Sequence, residues 1–196
     1  MTISAFDIAI LGAGPVGRVL ALMLARVAPD PSRIALLQGA SPAPVTPAAA
    51  VPAADPRVLA MNHGSRVLLE SLHAWPAKAA DILNIHVSQR GRLGRSVIRN
   101  TDFDVPQLGC VVAYSALHAR LEECVAASGV TLLSGPPAVV DGQDADGVRI
   151  SQGDAALSCR IAVQSDGAGG SDVRREYGQH ALLTTAHASL PRRGWA

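Results

Sequence analysis

The chain is 196 residues long, with 17 basic and 16 acidic side chains, a net charge of +1, 48% apolar residues and 17% charged. That length suits one domain, or one and part of another, and the apolar share supplies a core and excludes a disordered chain. Near-balanced charge gives no basic face for nucleic-acid phosphates and no tract for anionic lipid, and 3% aromatic residues argue against a stacking platform. The start lacks the basic region and small-residue cleavage site of a secretory signal. The most apolar stretch, residues 8–27, is broken by Gly12, Gly14, Pro15, Arg18 and Arg26, so it is no membrane span. Cys110, Cys124 and Cys159 form no CxxC motif, which leads us to expect reduced thiols in a cytoplasmic protein.

Residues 6–11 form a short apolar run with β-branched Ile8 and Ile10, as a buried parallel strand would. Over residues 15–28, Val16, Val19, Leu20, Met23, Leu24 and Val27 recur at helical spacing, until Pro29 and Pro31 stop the pattern. Residues 33–38 read as a second buried strand, completing a βαβ unit and implying a parallel sheet. Residues 39–56, rich in proline and alanine, predict an extended surface segment. Residues 58–72 return to helical spacing through Leu59, Val67, Leu68 and Leu72, ending at Trp75-Pro76. Residues 82–88 and 96–100 predict strands around a basic connection. Residues 115–127 predict a helix capped by Ser115, with Leu117, Leu121 and Val125 as its apolar stripe. The runs 138–140, 148–150 and 157–163, separated by Asp/Gly turns, predict an antiparallel meander, and residues 180–188 a further strand.

Between the first strand and the first helix lies Gly12-Ala13-Gly14-Pro15-Val16-Gly17. In such a loop the first glycine permits a tight turn, the second lets the backbone approach a pyrophosphate, and the third lets helix and strand pack closely. The helix N-terminus then offers free N–H groups and a positive dipole end. A bare GxGxxG is weak, but this one follows a strand, opens a helix and is closed by a second strand. The alternative is a tight glycine turn without a ligand. Where an Asp or Glu would accept from the ribose hydroxyls stands Gln38, which accepts and donates without charge assistance. A dinucleotide held more weakly at its ribose is expected. Preference for a 2′-phosphate lacks an obvious partner, because no arginine lies directly after Gln38.

Together with Asp55-Pro56-Arg57, the residues from Val58 through Leu72, and Trp75-Pro76, this fingerprint resembles the FAD-dependent aromatic-ring monooxygenases, in particular their ubiquinone-biosynthesis hydroxylase branch. Residues 85–95, residues 108–117 and Ser165-Asp166-Gly167 agree with the resemblance. It runs along essentially the whole chain but covers about the first half of a family enzyme, and the later Gly-Asp motif of the flavin site is missing. The implied fold is α/β: a Rossmann-type parallel sheet with an antiparallel β-meander, of the FAD/NAD(P)-binding glutathione-reductase-like kind, plus part of a substrate domain. The FAD-binding domain would be residues 1–180, interrupted at about 76–107 by substrate-domain residues, with 181–196 beginning another substrate-domain segment.

The resemblance implies that Gly12, Ala13, Gly14, Pro15 and Gly17 take the FAD pyrophosphate and that Gln38 stands at the adenosine ribose. Arg57 matches the family arginine near pyrophosphate and flavin; an exposed helix-start arginine is the plainer reading. Asp166-Gly167 matches a motif tied to FAD and pyridine-nucleotide binding, although residues 168–174 depart from the usual spacing and an Asp-Gly pair is often a plain turn. Residues 171–177 are expected to be helical.

The six histidines form no HxxxH or HxH pair, so no metal site is expected. No GxSxG elbow marks a serine hydrolase. Asp102 and Asp104 read as solvated loop carboxylates, and Arg90, Arg92, Arg95 and Arg99 as a solvated hairpin that alternatively meets a nicotinamide phosphate or an anionic surface. His86 either faces a substrate cavity or is a surface or satisfied core histidine. No catalytic base is assigned.

The leading expectation is a hydroxylase using FAD, NAD(P)H and O2 on a prenylated phenol of ubiquinone biosynthesis, the cofactor carrying the chemistry. The alternatives are a non-catalytic nucleotide-binding fragment and an NAD-dependent dehydrogenase; against the latter stands the absence of a Tyr-x-x-x-Lys pair. Peripheral membrane contact is expected only through the lipophilic substrate. Half of a mixed sheet leaves unpaired edges and an uncovered apolar face, so partial disorder near the C-terminus or homo-oligomers are expected.

Overall fold

The apolar run before the glycine loop becomes a central strand because both its neighbours are parallel strands that bury it. The computed structural model describes residues 4–39, 55, 57–89, 91–167, 178–179, 189–190 and 193–195. In chain order the elements are β1 (Ser4–Leu11), α1 (Pro15–Ala25), β2 (Ile34–Gly39), β3 (Val58–Asn62), α2 (His63–Ser71), β4 (Ala80–Ile82), β5 (Asn84–Ser88), β6 (Arg95–Arg99), β7 (Gly109–Ala113), α3 (Tyr114–Ala126), β8 (Thr131–Gly135), β9 (Val139–Asp144), β10 (Gly147–Gln152) and β11 (Ala155–Gln164). Contacts divide the chain into two units, Met1–Ala49 with Leu121–Gly178, and Ala50–Arg120 with Gln179–Ala196.

The first unit holds a six-stranded sheet in the order β8-β2-β1-β11-β10-β9. β8, β2, β1 and β11 run parallel; β10 and β9 follow antiparallel. This is the α/β, Rossmann-type arrangement with an antiparallel meander. Register positions the functional edge: Leu11 lies beside Leu37 of β2 and beside Gln164 of β11. Gly12, Gln38 and Ser165, the next residues of three adjacent chains, therefore share one edge of the sheet. On one face Ala9, Leu11, Ala35, Leu37, Ile150, Leu157 and Cys159 form a buried cluster. Side-chain alternation puts Ile10, Ile34 and Leu36, also buried, on the other face.

α1 packs against β1 and β2 through small residues. Its buried positions are Gly17, Arg18, Ala21 and Leu22, whereas Val16, Met23 and Val27 are exposed. The apolar spacing read from the sequence is therefore not the buried stripe. Gly17 and Ala21 bring the helix close enough to the sheet to make the strip beneath it the covered one. The helix also ends at Ala25, short of the prolines.

The second unit holds a three-stranded antiparallel sheet, β3-β7-β4, and a β5–β6 hairpin. Residues 58–62, expected to be helical, form β3 because they pair with β7, a strand the sequence reading did not identify. Asn62 then caps α2, its Oδ1 accepting from Ser65 N at 2.7 Å. Arg66 joins Glu70 and Asp81, each at 2.8 Å, and lies 5.2 Å from the Trp75 ring centroid. α3 begins one residue earlier than expected, so Ser115 lies inside it rather than capping it; Leu117, Leu121 and Val125 are buried as predicted. The meander of the first unit is observed as β9, β10 and β11; the unanticipated β8 forms the opposite edge of that sheet, beside β2. Asn100–Asp102 form a 3₁₀ turn.

Cys110, Cys124 and Cys159 are free thiols, and burial pushes the Cys110 and Cys159 thiols up. Among the described residues, no helix is long and apolar enough to cross a membrane. The extended segment at residues 40–54, the loop at 168–174, the helix at 171–177, the strand at 180–188 and Arg90 lie outside the described residues.

The Asn62 cap supplies a checkable increment of stability. Asn62→Ala should destabilise the protein by about 1 kcal/mol in denaturant titration, because it leaves the Ser65 N–H without its side-chain acceptor. An unchanged midpoint would show that the cap contributes nothing.

Candidate dinucleotide-binding site

The β1–α1 loop is pinned before any ligand is considered. Gly12 N donates to Leu37 O at 2.9 Å, tying the loop to β2. On the other side Ser165 N donates to Leu11 O at 2.8 Å, and Ser165 Oγ reaches Leu11 O at 3.1 Å and Gly12 O at 2.9 Å. Arg18 N donates to Gly14 O at 3.0 Å, which starts the helix with Pro15 in its first turn, where a missing N–H costs nothing.

The three glycines have different physical reasons. Gly12 has φ +113°, and a Cβ on it would stand 2.6 Å from Asp166 N and 2.7 Å from Asp166 Cα. A Cβ on Gly17 would collide with Gly12 O and lie 2.6 Å from Ser165 Oγ. Both are demanded by packing inside the unit. Gly14 is different: its backbone is extended (φ −70°, ψ 179°), and a Cβ there would meet nothing within 4 Å. Among the described residues, neither strain nor crowding requires glycine at this position.

Gly14 stands at the N-cap of α1, where among the described residues no side chain caps the helix and no acidic residue lies in the first turn. The first-turn N–H groups of an α-helix lack intrahelical acceptors and carry the positive end of its dipole. Open space over a glycine at such an end is a cradle for an anion that must touch backbone. Ala13, between the two glycines, is buried.

At the end of β2, Gln38 offers its backbone O to Gln152 Nε2 at 3.2 Å. Its Oε1 accepts from Arg18 Nη2 at 3.4 Å. Arg18, 1% exposed, also donates from Nε to Ala13 O at 2.6 Å and lies 4.0 Å from the half-exposed Glu122 carboxylate. The sequence reading treated Arg18 only as an interruption of an apolar run. Its one available signal was position, directly after the last glycine on a helix otherwise apolar in its first turns.

The structure thus gathers Gly12, Ala13, Gly14, Pro15, Gly17, Gln38 and Asp166 at one sheet edge in the first unit. Gly167 follows with φ +70°, a conformation that favours glycine. Arg57 belongs to the second unit. Its Nε donates to both Asp55 oxygens at 2.9 Å, its guanidinium lies 3.9 Å over the Tyr114 ring, and its carbonyl accepts from Tyr114 N at 3.0 Å. The hydrogen bonds between them hold the Asp55 carboxyl below its usual range and the Arg57 guanidinium above its own. It precedes a strand, so it is not a helix-start arginine. His86 is exposed on β5, and Arg92, Arg95 and Arg99 are exposed on the hairpin.

No protein-family profile matches the chain. Its fold is similar to that of several solved structures. One is the p-nitrophenol 4-monooxygenase PnpA of Pseudomonas putida (TM-score 0.61, 17% identity, 86% of this chain and 43% of that one). Another is the anhydrotetracycline hydroxylase OxyS of Streptomyces rimosus (TM-score 0.56, 20% identity, 83% and 32%). A third is a geranylgeranyl bacteriochlorophyll reductase-like protein of Thermoplasma acidophilum (TM-score 0.53, 13% identity, 84% and 40%). The chain spans less than half the length of each, and at these identities the likeness establishes the fold: α/β, with the mixed sheet described above.

Proposed function

We propose that the chain is the dinucleotide-binding part of an FAD-dependent monooxygenase acting on an aromatic ring. The carrying observation is Gly14, a glycine that no contact among the described residues requires, at a helix N-terminus that none of their side chains caps. The residues fit FAD: Gly14 and the first turn of α1 would take the pyrophosphate, and Gln38 the adenosine ribose. Asp166 and Gly167, at the adjoining end of β11, would approach the cofactor from the other side. When bound, the flavin supplies electron transfer and oxygen activation, chemistry that no side chain provides. The chain's own part is to hold the diphosphate by backbone N–H groups and to keep the site geometry fixed through Ser165 and Leu37.

Two fold relatives with the words monooxygenase and hydroxylase in their names support the reaction class, and the sequence resemblance supports the finer reading. In that reading NAD(P)H is the hydride donor, O2 the oxidant and a prenylated phenol of ubiquinone biosynthesis the substrate. Arg57, held by Asp55 and stacked on Tyr114, is the residue that the sequence resemblance assigns to the cofactor. A nucleotide-binding module without catalysis is the competing reading.

FAD titration into the purified chain, followed by flavin fluorescence quenching, should show saturable uptake. A chain that takes up no FAD overturns the proposal. Hydroxylation of a phenol with NADH or NADPH by the loaded protein then decides between enzyme and module. Two substitutions separate ligand from packing. Gly14→Val should abolish FAD uptake and leave the unfolding midpoint nearly unchanged. Gly17→Val should destabilise by about 3 kcal/mol or more, because its side chain has no room against Gly12 and Ser165. Full uptake by folded Gly14→Val would remove the pyrophosphate from this loop.

A further inference from the structure

The hydrogen-bond sense of Gln38 is fixed by its neighbour. Arginine carries only donors. With Arg18 Nη2 at 3.4 Å, the group facing it must be the carboxamide oxygen, as observed. The Gln38 amino group is therefore turned away from Arg18, and among the described residues it has no hydrogen-bond partner. Register places this side chain level with Gly12, beside the loop that would hold the diphosphate. Arg18 is held in turn by its Nε bond to Ala13 O at 2.6 Å, so loop and carboxamide are aligned by one buried side chain.

We infer that Arg18, a positioning residue, presents Gln38 to the ligand as a hydrogen-bond donor, so that the adenosine-ribose end of the site admits an acceptor group at the 2′ position, a phosphate included. This rests on the dinucleotide reading above and adds a specificity to it. A carboxylate at residue 38 would accept from ribose hydroxyls and repel a 2′-phosphate. The amide carries no charge and turns a donor toward the ligand, and the guanidinium behind it is a cation. The arginine that no position directly after Gln38 supplies comes from α1. FAD, with a free 2′-hydroxyl, still fits, its hydroxyl oxygen accepting from Nε2.

ADP-ribose and 2′-phospho-ADP-ribose, which differ only at that position, are the probes. Their dissociation constants are measured by calorimetry on the wild-type chain, Gln38→Glu and Arg18→Met. The wild-type chain should bind the two within about threefold of each other. Gln38→Glu should disfavour the 2′-phosphorylated compound by about tenfold or more relative to its parent. Arg18→Met should weaken the 2′-phosphorylated compound more than the parent. Equal losses for both would mark Arg18 as merely structural and overturn its part. A wild-type chain that already rejects the 2′-phosphate tenfold, or a Gln38→Glu chain with an unchanged ratio, overturns the inference while leaving dinucleotide binding intact. Failure of the wild-type chain to bind either probe overturns both. Should Arg18→Met not fold, Gln38→Glu decides alone, because its change is a single isosteric group in a half-buried position.

Discussion

The first unit depends on one close approach of backbone to backbone, the β1–α1 loop against the end of β11. Two missing Cβ atoms make it: Gly12 against Asp166, and Gly17 against Gly12 and Ser165. The Ser165 hydroxyl then serves the two carbonyls that the turn leaves at the strand end. Because both sides of the loop are tied, to Leu37 and to Ser165, its donors are aimed before a ligand arrives. A rigid cradle binds with less ordering cost than a flexible one. The same contact explains why α1 lies low on the sheet and buries the strip through Gly17, Ala21 and Leu22, while Val16 and Met23 stay exposed.

Much of this was legible in the sequence, and the illegible parts share a cause. The βαβ unit follows from a β-branched run, three glycines and a proline stop, all local signals. The meander follows from Asp/Gly turns at short spacing. β3, however, has apolar residues whose spacing suits a helix as well as a strand. What makes it a strand is β7, paired through Met61 and Cys110, almost fifty residues on. β8 is likewise defined by lying parallel to β2, which no local pattern announces. Non-local pairing decided these elements, and periodicity reads only neighbours.

At the candidate site the glycines and their separate roles were readable from the fingerprint, but the atoms they make room for were not. Gly12 is set against Asp166 and Gly17 against Gly12 and Ser165, residues that no spacing names. Arg18 illustrates the same limit more sharply. A charged residue on a helix reads as solvent-facing, yet the short distance between α1 and the sheet encloses it at 1% exposure. Its burial follows from Gly17 and Ala21 beside it, so the glycine contact that shapes the loop also creates the buried cation.

That cation bears on what the fold can be used for. One α/β architecture carries names as different as a hydroxylase and a reductase-like protein among its relatives, so the sheet does not select a reaction. Selection falls to side chains at the sheet edge. Burying a guanidinium costs several kcal/mol unless hydrogen bonds and charge offset it. Ala13 O and Gln38 Oε1 are neutral acceptors, and the Glu122 carboxylate at 4.0 Å is half-exposed and screened by water. An edge built this way is more positive than one ending in a carboxylate. Since the α1 dipole points the same way, with no acidic residue in the first turn, cradle and ribose end act on a ligand with one sign. Anion recognition is then assembled from backbone at Gly14 and from Arg18 acting through Gln38, while the Asp166 carboxylate stands at the adjoining end of β11.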